Sequence, residues 1–256
     1  MILDRIVKTK KEEVAQLKKD MPLAELQAAA YGLGPCRNFR TAISGKSCAI
    51  IAEVKGASPS RGRIVDNFDP LLIATEYEKN GAAAISVLTD EKYFSGHKEF
   101  LTKIRSEVML PLLRKDFIID PYQIYESRII GADAVLLIVR IAGERLGEFI
   151  TLSRELGLAA LTEVHTAAEL QIALAAGADI IGINNRNLDT FITDIGTCKK
   201  LAHLVPDGKI IVAESAITCR ADIENIMQAG ISTFLIGEAL VTAGDIGKKL
   251  RELRGD

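Results

Sequence analysis

The sequence predicts an α/β protein, a single (β/α)8 TIM barrel behind an N-terminal helical extension, and three observations carry that expectation. Eight short runs rich in β-branched residues alternate with amphipathic stretches of helical length, the order of a parallel sheet wrapped by helices. Gly81, Gly131, Gly177 and Gly230 precede every second run at intervals of about 50 residues, as a doubled strand–helix unit repeated four times would place them. Residues 48–256 supply about 26 residues per unit, close to the roughly 250-residue size of such barrels.

Taken in order, residues 1–47 form the extension, with helices expected at 3–19, where Ile6, Val14 and Leu17 share a face, and at 22–30, where Leu23 and Leu26 do. Residues 48–256 form the barrel. Its strands are expected at 48–54 (CAIIAEV), 84–88 (AISVL), 110–114 (LPLLR) and 134–139 (AVLLIV), then at 158–163 (LAALTE), 180–184 (IIGIN), 210–214 (IIVAE) and 233–236 (TFLI). Helical patterns fill 121–130, 143–156, 167–176 and 221–229, several closed by a glycine suited to the left-handed residue after a helix. A doubly wound open sheet is the alternative, but it calls for a glycine-rich dinucleotide turn after the first strand, and Lys55, Gly56, Ala57 and Ser58 do not make one.

Composition narrows the function. With 32 Lys and Arg against 34 Asp and Glu, the net charge of −2 gives no field that would draw the chain onto nucleic acid or an anionic membrane. Aromatics are 5% and tryptophan is absent, so no stacking platform for bases is expected. Cys36, Cys48, Cys198 and Cys219 show no C-x-x-C spacing, which indicates neither a zinc site nor a disulfide framework; no metal or cofactor is expected, and a reducing cytosol is the expected compartment. The first residues turn charged at Asp4 and Arg5, unlike a secretory leader, and no stretch approaches the ~18 apolar residues of a membrane span.

Barrels of this kind place their active sites at the C-terminal ends of the strands. Here those ends carry Glu53 and Lys55, Lys115 and Asp116, Glu163 and His165, Asn184 and Arg186, and Glu214 and Ser215. A lone Lys or Glu at a strand end is usually just solvated; five such ends converging on one mouth read as an acid–base site, since unpaired burial would cost several kcal/mol. The last two loops, Glu214 to Ile217 and Ile236 to Ala239, have the small residues of a phosphate-binding turn, or of a plain tight turn before a helix. His165 precedes a capping pattern at Thr166 to Glu169, which assigns it to turn chemistry, and His97 and His203 are not catalytic candidates.

Together, A-E-V-K-G-A-S-P-S-R-G (52–62), L-L-R-K-D-F-I-I-D-P-Y-Q (112–123), T-E-V-H (162–165), I-G-I-N-N-R-N-L (181–188) and E-S-A-I (214–217) make the chain resemble the indole-3-glycerol phosphate synthase family. So do D-P-L-L-I-A (69–74) and G-A-A-A-I-S-V-L-T-D-E-K-Y-F (81–94). The resemblance implies a monomeric or fused barrel of tryptophan biosynthesis that converts 1-(2-carboxyphenylamino)-1-deoxyribulose 5-phosphate to indole-3-glycerol phosphate, carbon dioxide and water. It implies Lys115 as the proton donor to the ketone oxygen, its pKa lowered by neighbours and burial, with Glu163 and Lys55 serving the later proton transfers and Glu53 orienting the lysines. Asn184, Arg186, Glu214 and Ser215 are implied to contact the substrate's carboxylate and hydroxyls, and Phe94, Phe117, Leu136 and Leu188 its ring. Ser58, Lys55, Ala216, Gly237 and Glu238 are implied to hold its phosphate. The extension is expected to cover the mouth, with Ile2 and Leu3 near the ring.

Two positions depart from the family pattern. Ala216 stands where glycine is common, a change that strains the loop if the residue needs a positive φ and costs nothing if only its amide donates, and the second is expected. Gly56 replaces a residue that is often basic, which is expected to loosen the loop after the first strand. Other readings are a barrel whose Lys115 forms a Schiff base with a sugar phosphate, and a non-catalytic barrel that binds one.

Overall fold

The computed structural model describes residues 2–59, 61–65, 67–187 and 192–256. Its parallel strands are β1 (Ala49–Val54), β2 (Ala84–Leu88), β3 (Leu112–Lys115), β4 (Ala134–Ile138), β5 (Ala159–Val164), β6 (Ile180–Asn184), β7 (Ile210–Glu214) and β8 (Thr233–Ile236). Each pairs with its sequence neighbours, and β8 returns to β1 with Ala49 opposite Thr233, so the barrel is closed and leaves no edge. Four strands differ from expectation by a residue or two, β1 beginning at Ala49 and β5 running one residue later, Ala159–Val164. The third begins at Leu112 rather than 110, because Pro111 has no amide hydrogen to give and joins only through its carbonyl, which accepts from the Ile85 amide at 3.0 Å. The fourth stops at Ile138, and Val139 opens a helical turn instead.

Side chains alternate across each strand. Ile51, Leu113, Leu136, Leu161, Ile180, Val212 and Leu235 point inward and fill the lumen, while Ile50, Ala52, Val135, Leu137, Ile181 and Phe234 pack under the surrounding helices. The same parity carries Glu53, Lys115, Glu163 and Glu214, each two residues beyond an inward aliphatic, into the mouth. Helix starts are written locally. Asp120 precedes Pro121 and accepts the Tyr122 amide in a capping box with Gln123, and the Thr166 hydroxyl accepts the Glu169 amide at 3.1 Å. The four recurring glycines all have positive φ, between 80° and 94°, as the residue after a helix requires.

The helices of the extension dock at separate places. Helix α1 (Ile2–Asp20) docks on the outer rim of the mouth, where Lys10 Nζ lies 2.9 Å from Asp90 and 3.0 Å from Asp116, all three side chains buried. Asp116 also meets Arg114 at 3.1 Å, and Arg114 meets Glu126 at 2.8 Å, so the chain of charges runs from α1 under β3 to the next helix. Helix α2 (Leu23–Tyr31) lies along the helix Pro121–Ile129. Arg37 then reaches the carbonyls of Val108 and Leu110, and α3 (Phe39–Ile43) plugs the opposite end of the barrel with buried Phe39 and Ile43. Among the described residues, none of the extension lines the mouth cavity, so the expected contact of Ile2 and Leu3 with a ligand ring is absent from this arrangement.

Removing one partner of a buried ion pair leaves its counter-charge uncompensated. Lys10→Met is therefore expected to lower the unfolding free energy by about 3 kcal/mol, read from urea midpoints. A loss below about 1 kcal/mol would show that α1 docks without this pair.

Candidate active site

The inward strand ends line a cavity of about 770 Å³ at the C-terminal face of the barrel. At its floor Lys115 reaches three carboxylates: Glu214 Oε2 at 2.7 Å, Glu53 Oε2 at 3.8 Å and Glu163 Oε2 at 3.9 Å. Lys55 Nζ holds the other oxygen of Glu53 at 2.8 Å. Two glycines make this crowding feasible. A Cβ on Gly182 would stand 2.2 Å from Glu214 Oε1, and one on Gly237 would stand 2.5 Å from Glu53 Oε1. The inward slots of β6 and of the residue after β8 are thus occupied by the carboxylates of their neighbours.

The electrostatics follow from this packing. Burial works to lower the Lys115 pKa, but Glu214, Glu53 and Glu163 outweigh it and the ammonium is held above its ordinary value. The expectation that neighbours and burial together lower it is corrected, because the neighbours at Lys115 are carboxylates and they oppose burial. Burial pushes the Glu214 carboxyl up to about 7; Lys115 opposes that push, while Glu163 and Glu53 add to it. Glu53 is also desolvated, yet Lys55 and Lys115 hold it below the usual carboxylate range. The cluster retains protons because its carboxylates outnumber its ammonium groups.

Above this floor lie the other candidates. Asn184 lines the cavity, its Oδ1 accepting the Arg186 amide at 3.0 Å. Phe94 and Phe117 stack obliquely with centroids 5.8 Å apart, and Leu136 lies deeper on the wall. Leu188 is outside the described residues. Glu214 was expected to touch substrate, but its carboxylate lies beneath Lys115, almost wholly buried, and does not line the cavity. Ser58, Ser215, Ala216, Gly237 and Glu238 surround the far side. Glu238 presents its carboxylate to Arg61 at 2.9 Å and Arg186 at 3.8 Å, so an anion here would be held by its amide rather than its side chain.

Both departures from the family pattern acquire a structural meaning. Ser215 and Ala216 adopt φ of 64° and 62°, so Ala216 does sit in the left-handed region, at a cost of about 1–2 kcal/mol, and the expectation of an unstrained position is corrected. Gly56 is not a loosened joint. Phe68 packs over it, within 3.0 Å of where a Cβ would be, and its carbonyl accepts the Ile64 amide at 2.8 Å, closing the hairpin of Ala57–Ser58 and Gly62–Arg63. Sequence reasoning missed Arg61, although it lies in a quoted motif, and missed Gly182, whose signal is its inward register two residues before Asn184. Among the described residues, no cluster of His, Cys, Asp and Glu has metal-binding geometry, and no helix is long and apolar enough to cross a membrane.

A carboxyl that binds its proton more tightly folded than unfolded favours folding at low pH; for Glu214 this contribution is full below about 4.5 and has gone above about 7. Glu214→Gln removes the group. The difference in melting temperature, variant minus parent, is expected to be several degrees more positive at about pH 8 than at about pH 4.5 by calorimetry. A difference that does not change with pH would show that Glu214 titrates normally.

A family model described as indole-3-glycerol phosphate synthase matches residues 3–253. The protein of that name from Dehalococcoides mccartyi (strain CBDB1) is 48% identical over 258 residues, covering 99% of this chain and 100% of its own. The one from Alkaliphilus metalliredigens (strain QYMF) is 46% identical, with 99% and 98% covered. Among solved structures, 3-hexulose-6-phosphate synthase from Salmonella typhimurium superposes with a TM-score of 0.66 at 13% identity, covering 81% of this chain and 97% of that one. Thiamine phosphate pyrophosphorylase from Pyrococcus furiosus gives 0.63 at 16%, with 85% and 96% covered, and both likenesses are of fold.

Proposed function

The chain belongs to the indole-3-glycerol phosphate synthase family, and from that premise we propose that the Lys115 cluster closes the indole ring. The reaction is a carboxy-lyase ring closure on a phosphorylated small molecule. In 1-(2-carboxyphenylamino)-1-deoxyribulose 5-phosphate, the ring carbon bearing the carboxylate attacks the ketone carbon, and the ketone oxygen takes a proton. Carbon dioxide then leaves, returning its bonding pair to the ring. The new hydroxyl departs as water and the adjacent methylene loses a proton, which completes the indole.

The observation that carries this reading is an ammonium on the cavity floor, ringed by three carboxylates that outweigh burial and hold its pKa above the ordinary value. An ammonium is the acid that the first step needs, and it stabilises the oxyanion as it forms. A Schiff base would need the neutral amine, which these carboxylates disfavour. Glu163 and Lys55 lie on either side of Lys115 and suit the proton transfers of the dehydration, and Glu53 holds both lysines. Phe94, Phe117 and Leu136 form an apolar wall for the benzene ring. Arg186, with Asn184, suits the carboxylate, since a guanidinium offers it two parallel donors. Ser58, Lys55 and the amides of Ser215, Ala216, Gly237 and Glu238 suit the phosphate, with Arg61 within reach once it leaves Glu238. The chain is read as a monomer in a reducing compartment, in keeping with four free cysteines, and the extension as a cover whose α1 flanks the mouth.

Lys115→Ala is expected to lower kcat by roughly 10³-fold while KM stays within about threefold, because the loss falls on the transition state. Indole fluorescence in a steady-state assay reads both constants. Unchanged turnover would remove the mechanism, and a borohydride-reduced adduct on Lys115 would replace it with the Schiff base.

A further inference from the structure

His165 is a half-buried ionisable group beside the cluster that the chemistry above does not use. It follows β5 directly and lies two residues beyond Glu163, on the same face of the chain. Its Nε2 stands 3.5 Å from Glu163 Oε1, and its Nδ1 stands 3.4 Å from Glu169 Oε2. Glu169 is fixed in turn, since its Oε2 accepts the His165 amide at 2.6 Å and its own amide is capped by Thr166. Glu163 Oε1 and His165 Nε2 are both buried, and neither has a hydrogen-bond partner within normal distance. An imidazole with a carboxylate oxygen opposite each nitrogen is satisfied only when both nitrogens carry protons; either neutral tautomer would set a lone pair against an anion.

We propose that His165 is a positioning residue for Glu163: as an imidazolium anchored by Glu169, it donates to Glu163 Oε1, fixes the orientation of the carboxylate and leaves Oε2 facing Lys115 and the substrate. Charge supports this. Glu53, Glu163 and Glu214 have Lys55 and Lys115 as ammonium partners within 4 Å, Arg186 adds its field at Glu53, and the imidazolium places a further positive charge directly at Glu163. Burial pulls the His165 pKa down, but the hydrogen bond to Glu169 and the fields of Glu163, Glu169 and Glu214 raise it above the ordinary 6.5; Arg140, on the neighbouring helical turn, acts on Glu169. The capping role foreseen for this stretch belongs to Thr166, which leaves the imidazole free for Glu163.

The inference rests on the reading of Glu163 as an acid–base group, and its test separates the two. The chain has three histidines, so His165 can be assigned in an NMR titration of the free protein with His97→Gln and His203→Gln variants. It is expected to titrate above 6.5 and to move downward in Glu169→Gln and Glu163→Gln. A midpoint at or below 6.5, or one indifferent to both changes, would overturn the proposal whether or not the protein makes indole. In the steady-state assay, His165→Gln is expected to lower kcat about tenfold with KM little changed, and to shift the acid limb of the kcat/KM profile upward by about one pH unit. An acid limb that stays in place would also overturn it. Absence of turnover in the parent protein would instead remove the reading of Glu163 and leave the titration result standing.

Discussion

The site depends on one crowded ionic contact, an ammonium at Lys115 shared among Glu214, Glu53 and Glu163. Each of these charges would be costly to bury alone, and none is affordable without the others. Glu214 makes the closest contact and is the most deeply buried, so it takes up the excess proton affinity of the group. Glu53 is pinned from its other side by Lys55. The result is an acid that stays charged while facing a cavity with an apolar wall, where a developing oxyanion is worth more than it would be in water.

Much of the surrounding structure accommodates this contact. Gly182 and Gly237 surrender their side-chain volume to Glu214 and Glu53. Immediately behind Lys115, Asp116 points the other way and joins Arg114, Lys10 and Asp90 in a second buried network that fastens α1 to the rim. Burial works to raise the Asp116 carboxyl, but Arg114 and Lys10 outweigh it and hold it down to about 2, with the Thr89 hydroxyl adding to the effect. Consecutive residues of one strand end, 114–116, therefore serve an outer scaffold and an inner site by alternation alone. At the other pole, α3 closes the lumen with Phe39 and Ile43.

The barrel was legible in the sequence because strands buried on both faces read as aliphatic runs, and the glycines after helices punctuate them. The acids and bases of the floor were legible too, since they end those runs at inward positions. What the runs could not reveal depends on neighbours distant in sequence. Lys115 was expected to have a lowered pKa because strand order alone does not disclose that Glu53, Glu163 and Glu214 all lie within 3.9 Å of it. Ala216 was expected to use its amide without strain, since a residue's φ is set by the turn it must complete. Nothing in the sequence of a Lys-rich helix singles out Lys10, which is buried between two aspartates on other loops. His165 was assigned to a cap that its neighbour Thr166 makes.

The most direct measurement of the central claim is the titration of the Lys115 side-chain nitrogen by ¹⁵N NMR in the free protein. The three surrounding carboxylates should keep it an ammonium past the ordinary lysine value of 10.5. A neutral amine appearing below that value would mean that desolvation outweighs the carboxylates, and would contradict the account of Lys115 as an ammonium held charged in the resting site.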